Sequence, residues 1–175
     1  MSYVVANVWG VTVLDDIMYV VCFKSTILLY NKDTFRPLDA VIKVDGMNSP
    51  WDIAVSDRQL YVADWDCIWR VSVDDHSHVK WLSTESTTHT FHVTALSQCL
   101  LVTSLLPPSL HQYNTTDAQL LRVVELPTYV NELHHGVETT RGTFVIGHRG
   151  TSQDKQQHAV SELFRFRHVL SLIHI

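Results

Sequence analysis

One stretch of this chain recurs four times. VWGVTVLDDIMYVV at Val8 to Val21 lines up with PWDIAVSDRQLYVAD at Pro50 to Asp64, then with TFHVTALSQCLLVTS at Thr90 to Ser104, and more loosely with HHGVETTRGTFVIG at His134 to Gly147. Val11, Ile53, Val93 and Val137 are the equivalent positions, at spacings of 42, 40 and 44 residues by subtraction of their numbers. A period between about 20 and 50 residues constrains the fold more than composition does, because each unit must bury its apolar surface against the next copy.

Within each unit the apolar runs are short and separated by turn residues, which predicts strands rather than helices. The expected strands are Trp9 to Val13, Ile17 to Cys22, Ser25 to Tyr30 and Ala40 to Val44, then Trp51 to Val55, Leu60 to Ala63, Cys67 to Val71 and Val79 to Leu82. The third unit places them near Phe91 to Ala95, Leu100 to Thr103, Leu110 to Tyr113 and Leu120 to Leu126; the fourth at His134 to Glu138, Thr143 to Gly147 and Val160 to Phe166, with no clear fourth strand. Runs such as Ile17 to Val21 and Leu100 to Val102 lack apolar/polar alternation, the pattern of a strand buried on both faces. Four-stranded antiparallel sheets that repeat at this period and stack face to face are the blades of an all-β propeller. A β-sandwich of similar hairpins is the alternative, but it has no reason to repeat at 40 to 44 residues.

The cleanest copy, PWDIAVSDRQLYVADWDCIWRV at Pro50 to Val71, resembles the blades of NHL and wider six-bladed TolB-like propellers. Those repeats run proline, a short apolar strand, a turn, a YVAD-like strand and an isoleucine-led strand. The resemblance implies a ring of about 250 residues at this period, of which residues 1–169 supply about four blades, near 8–44, 50–82, 90–126 and 134–166. The chain is therefore expected to be a partial propeller whose terminal blades show apolar faces; a genuine four-bladed ring, or closure by a second copy, is the alternative. The tail LSLIHI, Leu170 to Ile175, fits no repeat position; it resembles translated adapter sequence and is set outside the fold as an assembly scar.

Charge narrows the partners. The formal net charge is −5, from 13 basic and 18 acidic residues with no Lys/Arg cluster, which argues against binding a phosphate backbone. No run approaches the ~18 apolar residues of a membrane helix. A protein or peptide partner is expected, with neither nucleic acid nor membrane. The N-terminal MSYVVANVWG lacks a basic segment followed by a sustained apolar one, so a cytoplasmic setting is the default. Cys22, Cys67 and Cys99 show no CxxC spacing and read as reduced thiols, and the sequon Asn114-Thr115-Thr116 matters only in a secreted chain.

Common catalytic signatures are missing: there is no GxSxG, HExxH, Walker loop or GxGxxG. His134 and Glu138 on a regular strand would stand ~13 Å apart, too far for one ion, with His135 on the opposite face. In propeller geometry one end of the ring collects Met47 to Pro50, Asp64-Trp65-Asp66, His89, Ser104 to Pro108, Asn131 to His135, and His148-Arg149 with the loop Gly150 to His158. Gly10, Asp52, His92 and Gly136 are the expected near-axis positions. Asp52 and His92 would meet there from adjacent blades, either as a cation or proton-relay pair or as a structural hydrogen bond. Trp51, equivalent to Trp9 and Phe91, is expected to pack blade on blade, and Trp65 to make contacts from its turn.

The candidate binding residues are thus Asp52, Asp64, Trp65, Asp66, His92, His134, His148 and Arg149, with no catalytic residue, metal ligand or cofactor assigned. The expected function is a non-enzymatic module that binds a protein or peptide through its loop-rich end. The alternative is a metal-dependent hydrolase of the propeller lactonase or esterase type.

Overall fold

The computed structural model describes residues 7–22, 24–83, 90–105, 107–126, 130–149, 158–165 and 170–174. Among these every regular element is a strand, sixteen in all. They divide between two compact units, Met1–Ser86 and Thr87–Ile175, each holding two four-stranded sheets.

In the first unit, β1 (Val8–Leu14), β2 (Ile17–Cys22), β3 (Thr26–Asn31) and β4 (Pro37–Lys43) form one sheet, and β5 (Asp52–Ser56), β6 (Gln59–Ala63), β7 (Cys67–Ser72) and β8 (His78–Ser83) form the other. Each is an antiparallel meander in chain order. The runs without alternation are buried on both faces as expected: Tyr19 to Cys22 and Leu60 to Ala63 are all buried. By contrast β4 alternates, with Ile42 inside and Val41 and Lys43 outside. The core joins both sheets through Tyr19, Val21, Ile27, Ile42, Ile53, Leu60, Val62 and Val71, each aliphatic side chain contributing roughly 1.5–3 kcal/mol by burial.

Turn chemistry repeats along with the strands. Asp57 and Arg58 link β5 to β6 with φ of 45° and 58°, the two-residue hairpin geometry that matches strand twist. Neither is glycine; the Arg58 guanidinium holds the turn in place by donating to Asp74 Oδ1 at 2.6 Å and to Asp15 Oδ2 at 3.0 Å. After β3, Asn31 Oδ1 accepts from the Thr34 N–H at 2.9 Å, and the same kind of turn follows β11, where Asn114 Oδ1 accepts from the Thr116 N–H at 2.8 Å. The sequon asparagine thus closes a turn within its own blade.

The second unit contains β9 (Thr90–Leu96), β10 (Cys99–Leu105), β11 (Pro108–Asn114) and β12 (Leu120–Glu125), then β13 (Asn131–Glu138), β14 (Phe144–Arg149), β15 (His158–Arg165) and β16 (Leu170–His174). Its core gathers Leu101, Leu110, Val130, Leu133, Phe144 and Ile146. Two details depart from the sequence reading. Leu170–His174, set outside the repeat, pairs with β15 from Ser161↔His174 to Arg165↔Leu170 and completes the fourth sheet; its alternating LSLIH pattern suits an edge strand, which needs no blade signature. Strand β13 is irregular, with register shifts at Asn131/Leu133 and Leu133/His135 that leave Glu132 and His134 as extra residues. Simple two-residue alternation therefore does not fix the faces of His134, His135 and Glu138.

Candidate functional site

Asp64 follows the last residue of β6 and is 2% exposed. Its carboxylate is buried and takes four N–H donors. Oδ1 accepts from the backbone N–H groups of Ser49 at 2.7 Å and Trp65 at 2.9 Å, and Oδ2 accepts from the Asn48 N–H at 3.0 Å and the Trp69 indole N–H at 3.1 Å. Four donors fill the lone-pair sites of one carboxylate. The loop entering β5 and the turn leaving β6 are thereby tied to a single buried side chain, and the Asp64 N–H donates to Cys67 O at 2.9 Å across that turn.

The turn so fixed presents Trp65, which is 48% exposed. Its ring lies 6.5 Å from that of Trp51, tilted by 35°, and Trp51 in turn meets Trp9 edge to face at 4.8 Å and 72°. The Trp51 backbone N–H donates to Ala63 O at 2.8 Å, tying the entry of β5 to the end of β6, while Trp9 is 40% exposed. Three indoles from β1, the entry to β5 and the β6–β7 turn thus form one aromatic row with two exposed ends. The packing contact between Trp9 and Trp51 joins the first two sheets, and Trp65 extends it to solvent. Exposed Asp66 stands beside Trp65, with Lys80 Nζ 3.9 Å from its Oδ2.

The inner strands of the first unit touch at Gly10. A Cβ there would stand 2.7 Å from both Asp52 Cα and Ile53 N. Only glycine permits that approach. Asp52 is half-buried and its Oδ1 accepts from the Ile53 N–H at 2.8 Å.

Asp64, Asp66 and Cys67 bring ligand atoms within 4.8 Å of one another. The donor set suits a cation poorly. Both Asp64 oxygens already accept two hydrogen bonds, and burial, aided by the Asp64 and Asp66 carboxylates, pushes the Cys67 thiol up to about 12, so it is no thiolate near neutral pH.

In the second unit His92 lies on β9 and His135 on β13, their rings 5.5 Å apart at 82°. His134 and His135 are both exposed. His148, at 2% exposure, is enclosed, with Nε2 2.9 Å from Ser161 Oγ. It occupies the same place in the repeat as Asp64: Cys22, Asp64, Ser104 and His148 follow one another at 42, 40 and 44 residues, and all four are buried. Arg149 ends β14, and residues 89 and 150–157 lie outside the described residues.

Sequence reasoning missed a polar row on β11. Ser109 Oγ is 3.1 Å from Pro107 O and 2.8 Å from His111 Nε2, and His111 Nδ1 is 3.3 Å from the Tyr113 hydroxyl. Alternate residues share a strand face, so the spacing i, i+2, i+4 was the available signal. Burial holds His111 below the usual imidazole range, and Ser109 is buried, so the row serves as a satisfied structural network.

No family model and no curated protein matches this sequence. Solved structures do. The hydrazine synthase of Kuenenia stuttgartiensis is similar at 13% identity and a TM-score of 0.73, over 97% of this chain and 54% of that one. The RRP9 WD40 repeats are similar at 13% identity and 0.70, over 95% and 50%, and the WD40 β-propeller domain of Doa1 at 15% and 0.66, over 84% and 48%. The chain spans about half the length of each. At such identities the likeness establishes the fold alone: the four sheets are blades of the β-propeller fold, with WD40 propellers among their structural neighbours.

Proposed function

We propose that the chain is a non-enzymatic interaction module that takes a protein or peptide on the tryptophan row of its first unit. The carrying observation is Trp65, an exposed aromatic on a turn whose backbone the Asp64 carboxylate fixes through the Trp65 N–H. Large aromatics that are ordered before binding lose little entropy on contact, and they dominate interface energies. Asp66 beside Trp65 and the net charge of −5 favour a Lys or Arg side chain on the partner, laid over the indoles. The same charge supports a protein partner over nucleic acid.

The likeness to WD40 propellers supports a platform role, since rigid blades carry variable loops. The NHL-like character of Pro50 to Val71 is a finer part of the same proposal, as is a reducing, cytoplasmic setting, which the free thiols of Cys22, Cys67 and Cys99 support.

Panning a displayed random-peptide library on the purified chain tests this reading. Enriched peptides should carry basic residues, and their affinity should fall about tenfold or more in Trp65→Ala. Peptides that bind Trp65→Ala and Trp9→Ala unchanged would contradict it, as would turnover of lactones or esters by the purified chain.

A further inference from the structure

The loop from β4 into β5 is held at two places. Its far end gives the Asn48 and Ser49 N–H groups to the Asp64 carboxylate. Its near end meets a histidine: the Asp45 N–H donates to Nε2 of His78, on β8, at 3.2 Å. The other nitrogen of that ring, Nδ1, lies 3.2 Å from His76 O.

These two partners fix the ring proton. A carbonyl oxygen only accepts, so Nδ1 carries the hydrogen; a backbone N–H only donates, so Nε2 must offer its lone pair. Both bonds thus require the neutral Nδ1–H tautomer of half-buried His78. A second proton, on Nε2, would set one N–H against another, breaking the Asp45 bond and keeping the one to His76. Asp45 and Gly46 are exposed, so the released N–H can turn to water.

The loop start also touches the support of the tryptophan row. Gly46, at φ 93°, lies against Trp69: a Cβ on it would stand 3.3 Å from Trp69 Cη2. Trp69 is the indole whose N–H donates to Asp64. The charged groups on the elements around the ring are these. The loop brings the Asp45 carboxylate, paired with Lys43 Nζ at 3.0 Å. On β8, Lys80 shares the face of His78, its Nζ 5.5 Å from the Trp69 ring centroid and 3.9 Å from Asp66 Oδ2. The turn before β8 holds His76 itself and Asp75, which accepts from the Ser77 hydroxyl at 2.8 Å. From β7 come Val71, opposite His78, and the Trp69 ring at 6.1 Å, both uncharged.

We propose that His78 is a pH-sensitive latch: neutral, it clamps the start of the β4–β5 loop to β8, and protonated, it releases Asp45 and Gly46 and loosens the support of the tryptophan row. The regulatory half rests on that row being the partner surface. Imidazoles change charge between about pH 5 and 8, so the latch closes toward the upper end of that range and opens toward the lower.

NMR of the imidazole nitrogens in the wild-type chain reads the tautomer directly. At about pH 8 His78 should carry its proton on Nδ1, and on acidification to about pH 5 the Asp45 amide should shift with the same midpoint as the His78 ring. An Nε2–H tautomer, or an Asp45 amide that stays still while His78 titrates, overturns the latch. His78→Gln keeps an acceptor for the Asp45 N–H but does not titrate. A peptide whose binding depends on Trp65 should lose about threefold to tenfold in affinity for wild type over the same range, the scale of one hydrogen bond, and clearly less for His78→Gln. Equal losses in the two proteins overturn the regulation. The spectra need neither a ligand nor a folded variant, so they decide the latch even where no Trp65-dependent peptide is found, a result that contradicts the peptide-binding reading instead.

Discussion

The carboxylate of Asp64 accepts from the indole N–H of Trp69 at 3.1 Å, five residues along the chain, while its other contacts hold two loops. Replacing Asp64 by Ala leaves four donors facing a void. Leaving buried donors unpaired costs about 1–3 kcal/mol each where water cannot reach them, so Asp64→Ala should destabilise the first unit by at least about 3 kcal/mol. Asp64→Asn should recover only part, because its amide nitrogen would face N–H groups where an acceptor is needed. Urea midpoints of the three proteins check the order.

Gly10 and Gly136 should respond differently to alanine. At Gly10 the new Cβ meets Asp52 Cα and Ile53 N at 2.7 Å, and backbone cannot turn aside. At Gly136 the nearest atom, at 2.8 Å, is Leu110 Cδ2, the end of a rotatable side chain. Gly10→Ala should cost about 2 kcal/mol or more and Gly136→Ala clearly less, measured by the same unfolding curves. Equal losses would contradict the close approach of β1 and β5.

Cys67 should make alkaline stability fall. Its folded value, raised to about 12 chiefly by burial, exceeds the ordinary 9.0, so the native thiol keeps its proton while the unfolded one ionises. The contribution is complete below about pH 9 and is lost as pH rises toward about 12. Wild type should therefore lose stability faster than Cys67→Ala across that window, with the two curves parallel below it. Parallel curves throughout would contradict the assignment.

The fold was legible because the repeat shows in residue types that have physical work to do. Tyr19 to Cys22 and Leu60 to Ala63 are apolar throughout because both faces are covered, and Val11, Ile53 and Val93 keep their spacing because each blade needs an inner strand. The site was only half legible. Asp64-Trp65-Asp66 looks like one polar turn, yet Asp64 turns in as an anchor while Trp65 turns out, and the choice depends on Asn48, Ser49 and Trp69 arriving from elsewhere. Burial recurs at 22, 64, 104 and 148, but the residue types there, Cys, Asp, Ser and His, share no pattern that would mark the position as inward in the sequence. The pairing of His135 with Thr94 was not legible, since it follows register shifts in β13 that alternation cannot foresee.

Binding by Trp65, separated from stability, tests the central claim most directly. Trp65→Ala removes a half-exposed side chain that also packs on Trp51, and should lower the unfolding free energy by about 1–2 kcal/mol while leaving the chain folded. Fluorescence anisotropy of a labelled peptide selected on the wild-type chain should then show its affinity reduced about tenfold or more in Trp65→Ala under conditions where its urea curve shows it fully folded. Undiminished affinity in that folded variant would contradict the tryptophan row as the binding surface.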